Sequence, residues 1–245
     1  MRAILFDFGG TLDFPRHWLD RFVSHYRAAG LVLDRVALDP AFDAATREAY
    51  AAGVALREYS LDALVDYLVA HQLDDLRRKG PPRIQELLEN TVRNGGLGDM
   101  AGQIRAGFLA ESAAGFALSR PLVASMSKRF KIAVVSNFYG NLDRILTESG
   151  LADSIDAVAD SGRIGFHKPD PALFKAALTS LGVDAEEAVM VGDSLSKDCA
   201  PARALGMRTV WLRHRDSPVR EAPANTTDFT IDRLEELKDL SWLSG

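Results

Sequence analysis

AILFDFGGTLDF, residues 3–14, builds an apolar run and then breaks it with an acid. Ala3 to Phe6 form a short continuous apolar segment, which suits a strand buried on both faces of a parallel sheet. Asp7 closes that strand, and Gly9-Gly10-Thr11 carries the chemistry of a turn. A carboxylate in this position has two readings. It caps the turn, or it stands at the edge where open α/β sheets bind ligands, beyond the carboxyl ends of their strands. The stretch by itself leaves both open.

The rest of the chain repeats the pattern. Further short apolar runs rich in Val and Ile lie at 131–135, 155–158, 187–191 and 208–212, with a weaker one at 228–231, and the first run spans 2–7. Between them, Leu173, Phe174, Ala177, Leu178 and Leu181 recur at helical spacing, as do Leu142, Ile145 and Leu146. This alternation predicts an α/β fold with a Rossmann-like, doubly wound parallel sheet. In such a sheet the 131–135 strand runs into Ser136-Asn137, and the 187–191 strand into Gly192-Asp193-Ser194. Asp193 alone reads as the cap of a helix at about 196–206, and Asp198 as a first-turn acid favoured by the helix dipole. An acid, a hydroxyl and a second acid released onto one edge by three strands favour a site over three unrelated caps.

Residues 14–117 offer no strand. Leu61, Leu64, Val65, Leu68 and Val69 form one apolar stripe, and Ile84, Leu87, Leu88 and Val92 another, entered through Pro81-Pro82. Trp18, Phe22 and Tyr26 mark a third, which reads as bundle core or as pocket lining. Breaks are expected near Asp39-Pro40, Gly80-Pro81-Pro82 and Gly95-Gly96-Leu97-Gly98. The predicted organisation is therefore a discontinuous core, 1–13 plus 118–245, carrying an all-helical insertion at 14–117. The polar segment after Trp211, RHRDSPVREAPANTTD, reads as a surface loop before a last strand and helix.

Bulk properties narrow the function. With 245 residues, 47% hydrophobic, 26% charged and a net charge of −5, the chain has the composition of a globular protein with a sizeable core. No Lys/Arg block provides the basic surface that nucleic acid needs. No run approaches a membrane span, and Asp7 interrupts any signal-peptide core, so a cytoplasmic location is expected. Cys199 is the single cysteine, which excludes an intrachain disulfide, and it reads as a small buried residue in a helix.

Taken together, these residues resemble the haloacid dehalogenase superfamily of phosphohydrolases, in the subgroup with a helical cap after the first strand. The resemblance rests on Asp7-Phe8-Gly9-Gly10-Thr11, on Ser136 in VVSNF, on Lys168 in GFHKPDP, and on Asp193 and Asp198 in VGDSLSKD. It implies that Asp7 attacks phosphorus to give an aspartyl phosphate, and that a small phosphorylated metabolite is the substrate. It further implies Mg²⁺, held by Asp7, the carbonyl of Gly9 and Asp193, with Asp198 holding a metal water or steadying Lys168. Gly10, Thr11, Ser136 and Asn137 would donate to the transferring oxygens, and Lys168 would add positive charge.

One position departs from the family pattern. Where most members carry a second Asp, which protonates the leaving alcohol and activates water, this chain has Gly9. General acid–base catalysis contributes about 10²–10⁴-fold, so both half-reactions should slow. Substrates with good leaving groups would suffer least. Asp13, His17 and His167 are the nearest candidates in sequence to replace it, though each reads more readily as a surface residue. Two other readings follow from the same glycine: a metal-independent 2-haloacid dehalogenase, whose halide leaves without a proton, or a non-catalytic phosphate- or protein-binding module. The retained paired acids favour the phosphatase.

Overall fold

A computed structural model describes residues 1–215 and 219–240; positions 216–218, within the polar segment, and 241–245 lie outside the described residues. The chain divides into two compact units, one comprising Met1–His17 with Ala113–Gly245 and the other Trp18–Ser112.

The first unit is built on a six-stranded sheet in the order β3-β2-β1-β4-β5-β6, with every pairing parallel. Its strands are β1 (Ala3–Phe6), β2 (Lys131–Ser136), β3 (Ala157–Asp160), β4 (Ala188–Gly192), β5 (Arg208–Leu212) and β6 (Phe229–Ile231). All four residues of β1 are fully buried, as the continuous apolar run requires of a central strand covered on both faces. The chain leaves β1 toward β2 on one side and β4 on the other. The strand order therefore reverses at β1, and this switch point is where an α/β sheet opens a crevice. The fold class expected from the sequence is the one observed.

Two strand boundaries shift for visible reasons. The 155–158 strand is found at Ala157–Asp160, because the Ile155 amide closes a 3₁₀ turn by bonding the Ala152 carbonyl, and pairing starts only when the Asp156 amide reaches Ile132. Glu187 belongs to the 3₁₀ turn Ala185–Glu187, capped by Asp184, and so lies outside β4. The helix expected at about 196–206 is a π turn, Leu195–Cys199, followed by a short α-helix, Ala200–Ala204. The final helix is a 3₁₀ segment, Leu234–Asp239.

The second unit holds α1 (Trp18–Ala28), α2 (Arg35–Ala52), α3 (Leu61–Lys79), α4 (Pro82–Arg93) and α5 (Leu97–Met126) as far as Ser112. The break expected at Asp39-Pro40 does not occur. Asp34 caps α2 through the Ala37 amide, and Pro40 sits inside the helix, where the carbonyl it leaves without a partner belongs to Val36, an exposed residue of the first turn. The Gly80-Pro81-Pro82 break holds, with Gly80 capping α3 and Pro82 opening α4. Trp18, Phe22 and Tyr26 are core. Phe22 stacks on Phe108 at 4.6 Å and Trp18 meets the same ring edge-on at 4.9 Å.

The units part at 17/18 and 112/113, rather than at the 13/14 and 117/118 read from the sequence. The second boundary falls inside the single helix α5. Gly115 lies so close to the Asp13 carbonyl and to Phe14 that a Cβ could not be placed there, and Phe116 meets Phe8 at 6.1 Å. These contacts assign the end of α5, and the loop through His17, to the sheet unit.

Candidate active site

The site is assembled by the strand ends. The Asp7 amide bonds the Val191 carbonyl at 2.9 Å, which extends the β1–β4 pairing by one residue and sets Asp7 beside the Gly192-Asp193 turn. Ser136 is the last residue of β2, the neighbour on the other side. Lys168 arrives on the loop between the short helix Ser161–Ile164 and the helix Pro171–Leu181. Asn137 clamps that loop: its Nδ2 donates to the Lys168 carbonyl at 3.0 Å, and its Oδ1 accepts the Lys168 amide at 2.6 Å.

Lys168 Nζ donates to Asp7 Oδ1 and to Asp198 Oδ1, each at 2.6 Å, and Ser136 Oγ donates to Asp7 Oδ1 at 3.0 Å. Asp198 also accepts the Ser194 amide at 2.9 Å and is brought in by the π turn, a distortion common at functional sites. A Cβ at Gly192 would collide with the Asp198 carboxylate, so only glycine permits this approach. Asp7, Asp198 and Lys168 are each at most 5% exposed.

One carboxylate oxygen from each of Asp7, Asp193 and Asp198 lies within 4.8 Å of the others. Burial, then the charges of Asp7 and Asp198, push the Asp193 carboxyl well above its ordinary range. Burial likewise pushes Asp198 up to about 6, against the opposing pull of Lys168. For Lys168 burial acts downward, but Asp198 and Asp7 outweigh it and hold the ammonium protonated. Three converging carboxylates, Asp7 and Asp198 buried and Asp193 half-buried, against one ammonium leave an excess of negative charge. Their hard oxygens fit a divalent cation such as Mg²⁺.

Several expected donors are engaged elsewhere. The Gly10 amide donates to Asp13 Oδ1 at 2.7 Å and the Thr11 amide to the Phe8 carbonyl at 3.1 Å. Thr11 Oγ1 is 3.5 Å from Asp7 Oδ2. Asn137 spends both side-chain atoms on the Lys168 backbone, and Ser136 faces Asp7. Asp13, which the sequence presents as a surface residue more readily than as an acid, is fully buried and accepts from the Gly10 and Phe14 amides, so it serves as a clamp of the loop. His167 is exposed and His17 half-buried.

Two residues escaped the sequence reading. Trp211 Nε1 donates to the Asp193 carbonyl at 2.9 Å, and His214 Nε2 lies 2.8 Å from the Gly10 carbonyl and 3.6 Å from Asp193 Oδ2. Their one signal in the sequence is position: both belong to the carboxyl end of β5, the strand next to β4.

Against known protein families, residues 1–206 match the haloacid dehalogenase-like hydrolase model. The chain belongs to that family. Among curated members it is 38% identical over 117 residues to the phosphoserine phosphatase of Thermus thermophilus, covering 47% of this chain and 46% of that protein. It is 37% identical over 116 residues to the ribulose-1,5-bisphosphate 5-phosphatase of Halopiger xanaduensis, covering 44% and 48%. The chain thus spans about half the length of the curated relatives it matches. A crystal structure of a dehalogenase superposes with a TM-score of 0.61 at 18% identity, over 98% of this chain and 96% of that one, which places the two in one fold.

Proposed function

We propose that this family member is a Mg²⁺-dependent phosphohydrolase of small phosphorylated metabolites, working through a phosphoryl group carried on Asp7. The observation that carries the reading is the convergence of Asp7, Asp193 and Asp198 within 4.8 Å, with Lys168 bonded to two of them. Relatives named as phosphatases support it.

Asp7, the Gly9 carbonyl and Asp193 would hold the cation, with Asp198 beside them. When bound, Mg²⁺ would offset the repulsion between a carboxylate and a phosphate dianion. A carboxylate oxygen of Asp7 forms the new P–O bond as the ester P–O bond breaks, dividing the reaction into two steps. Lys168 keeps its proton throughout and supplies fixed positive charge beside Asp7. Ser136 and Thr11 hold the Asp7 carboxylate in place before substrate binds, and their hydroxyls are near enough to turn toward phosphate oxygens. Gly9 gives the departing oxygen no proton, which water, the substrate or another side chain would supply. In the second step water attacks the same phosphorus, releasing inorganic phosphate and restoring Asp7. The helical unit is proposed as the cap that sets substrate choice.

A panel of phosphorylated metabolites and an aryl phosphate, each with and without Mg²⁺ and with chloroacetate as control, tests the reading. Phosphate release that requires Mg²⁺ and is lost in Asp7→Asn is expected. Metal-independent halide release from chloroacetate, with no phosphate release, would replace it with the dehalogenase.

A further inference from the structure

Two consecutive glycines form the turn after Asp7-Phe8, and glycine pairs restrain the backbone least. Yet the Gly9 carbonyl is asked to serve as a ligand of fixed direction. Two side chains supply the restraint. Asp13 Oδ1 accepts the Gly10 amide at 2.7 Å and the Phe14 amide at 2.8 Å. The peptide group is planar and trans, so fixing the Gly10 N–H also fixes the Gly9 carbonyl, which points away from Asp13. The next peptide is held from the other side of the sheet edge. His214 Nε2 lies 2.8 Å from the Gly10 carbonyl. A carbonyl only accepts, so Nε2 carries the proton and donates.

The same nitrogen is 3.6 Å from Asp193 Oδ2. Gly10, at φ +89°, approaches this pair so closely that a Cβ would lie 2.7 Å from Asp193 Oδ2 and 3.4 Å from His214 Cε1. Trp211, paired in register with Gly192, donates to the Asp193 carbonyl at 2.9 Å. The end of β5 thus grips the Asp193 loop by its backbone and the nucleophile loop by its turn. His214 joins the two.

We propose that His214 is a positioning residue for the metal: its Nε2–H bond to the Gly10 carbonyl holds the Gly9-Gly10 turn against Asp193, so that the Gly9 carbonyl and the Asp193 carboxylate are set together for a divalent cation. This rests on the metal reading above. The role requires a donor at the Nε2 position and not a particular charge on the ring. Glutamine places an amide N–H at that reach, whereas asparagine places one at the Nδ1 position and falls short.

Mn²⁺ binding to the full chain, followed by the electron paramagnetic resonance of the free ion without substrate, separates the cases. Partners that orient ligands typically contribute about 10–100-fold in metal affinity, so His214→Asn should bind Mn²⁺ at least about tenfold more weakly, while His214→Gln stays near the unaltered protein. Metal-free unfolding temperatures should be alike in all three. Equal affinity in all three, or equal weakening in both variants, would overturn the role of His214 alone. Should the Asn variant not fold, loss of Mn²⁺ binding by a folded Gln variant also overturns it. No Mn²⁺ binding by the unaltered protein would overturn the metal reading, and this role with it.

Discussion

At position 9 the chain offers a hydrogen atom where protonation of a leaving alcohol calls for an acid. Under the proposed mechanism the cost would fall on substrates whose leaving group most needs the proton. Gly9→Asp is therefore expected to raise turnover of alkyl phosphates by up to about 10²-fold, and of aryl phosphates much less. Steady-state rates on a matched alkyl and aryl pair check this, and an equal gain for both would show that another group already donates. Asp7, Ser136, Asp193 and Lys168 were legible as candidates because each adjoins a strand end or a family motif. Asp13 was legible only as an acid, since its service to the Gly10 and Phe14 amides depends on how the backbone folds around it. His214 was illegible, because it follows β5 in a polar stretch and its partner, the Gly10 carbonyl, is a backbone atom some two hundred residues away.

Elements were read well where apolar runs were continuous and poorly where hydrogen bonding overrode composition. Five strands lie within a residue of the stretches read for them, β6 among them, and β1, β2, β4 and β5 are buried runs with clear ends. The β3 stretch slid by two residues because a 3₁₀ turn captured Ile155. Pro40 failed to end α2 because the bond it forfeits lies in the first, exposed turn. Helix α5 crosses a unit boundary with no break in sequence, and Gly115 is what lets its second half meet the loop after β1. A methyl group there would meet backbone that cannot swing aside. Gly115→Ala should thus destabilise the protein by at least the ~1–3 kcal/mol typical of overpacking. Thermal unfolding measures it; an unchanged midpoint would mean that α5 shifts freely.

At the scale of the molecule, each unit has its own core and its own electrostatic weak point. In the helical unit, fully buried Arg21 bonds Glu111 at 3.0 Å, the Phe108 carbonyl at 2.8 Å and Ser112 at 2.6 Å, with its guanidinium 3.7 Å over the Phe108 ring. His25 adds a second contact to Glu111 at 3.1 Å. Burial raises the Glu111 pKa, but His25 and Arg21 more than offset this and leave it below its ordinary 4.5. A depressed carboxyl stabilises the fold above its unfolded value and ceases to as pH falls through its folded value. Stability from Glu111 should accordingly be complete above about pH 4.5 and fade below it, and Glu111→Gln should flatten that acid limb in unfolding curves recorded against pH. In the sheet unit the weak point is the cluster of Asp7, Asp193 and Asp198, which lies at the switch point of the sheet and is expected to tighten with a divalent cation.

With an aryl phosphate, whose leaving group needs little protonation, the missing side chain at Gly9 is expected to slow release of the phosphoryl group from Asp7 more than its capture, so the covalent state should accumulate. Acid quenching of the protein during turnover of an aryl phosphate with Mg²⁺, followed by peptide mass spectrometry, reads that state directly. The account predicts a phosphoryl group on the peptide bearing Asp7, lost on omitting Mg²⁺ and absent in Asp7→Asn. Continued Mg²⁺-dependent phosphate release by Asp7→Asn, with no phosphoryl group on that peptide in either protein, would contradict it.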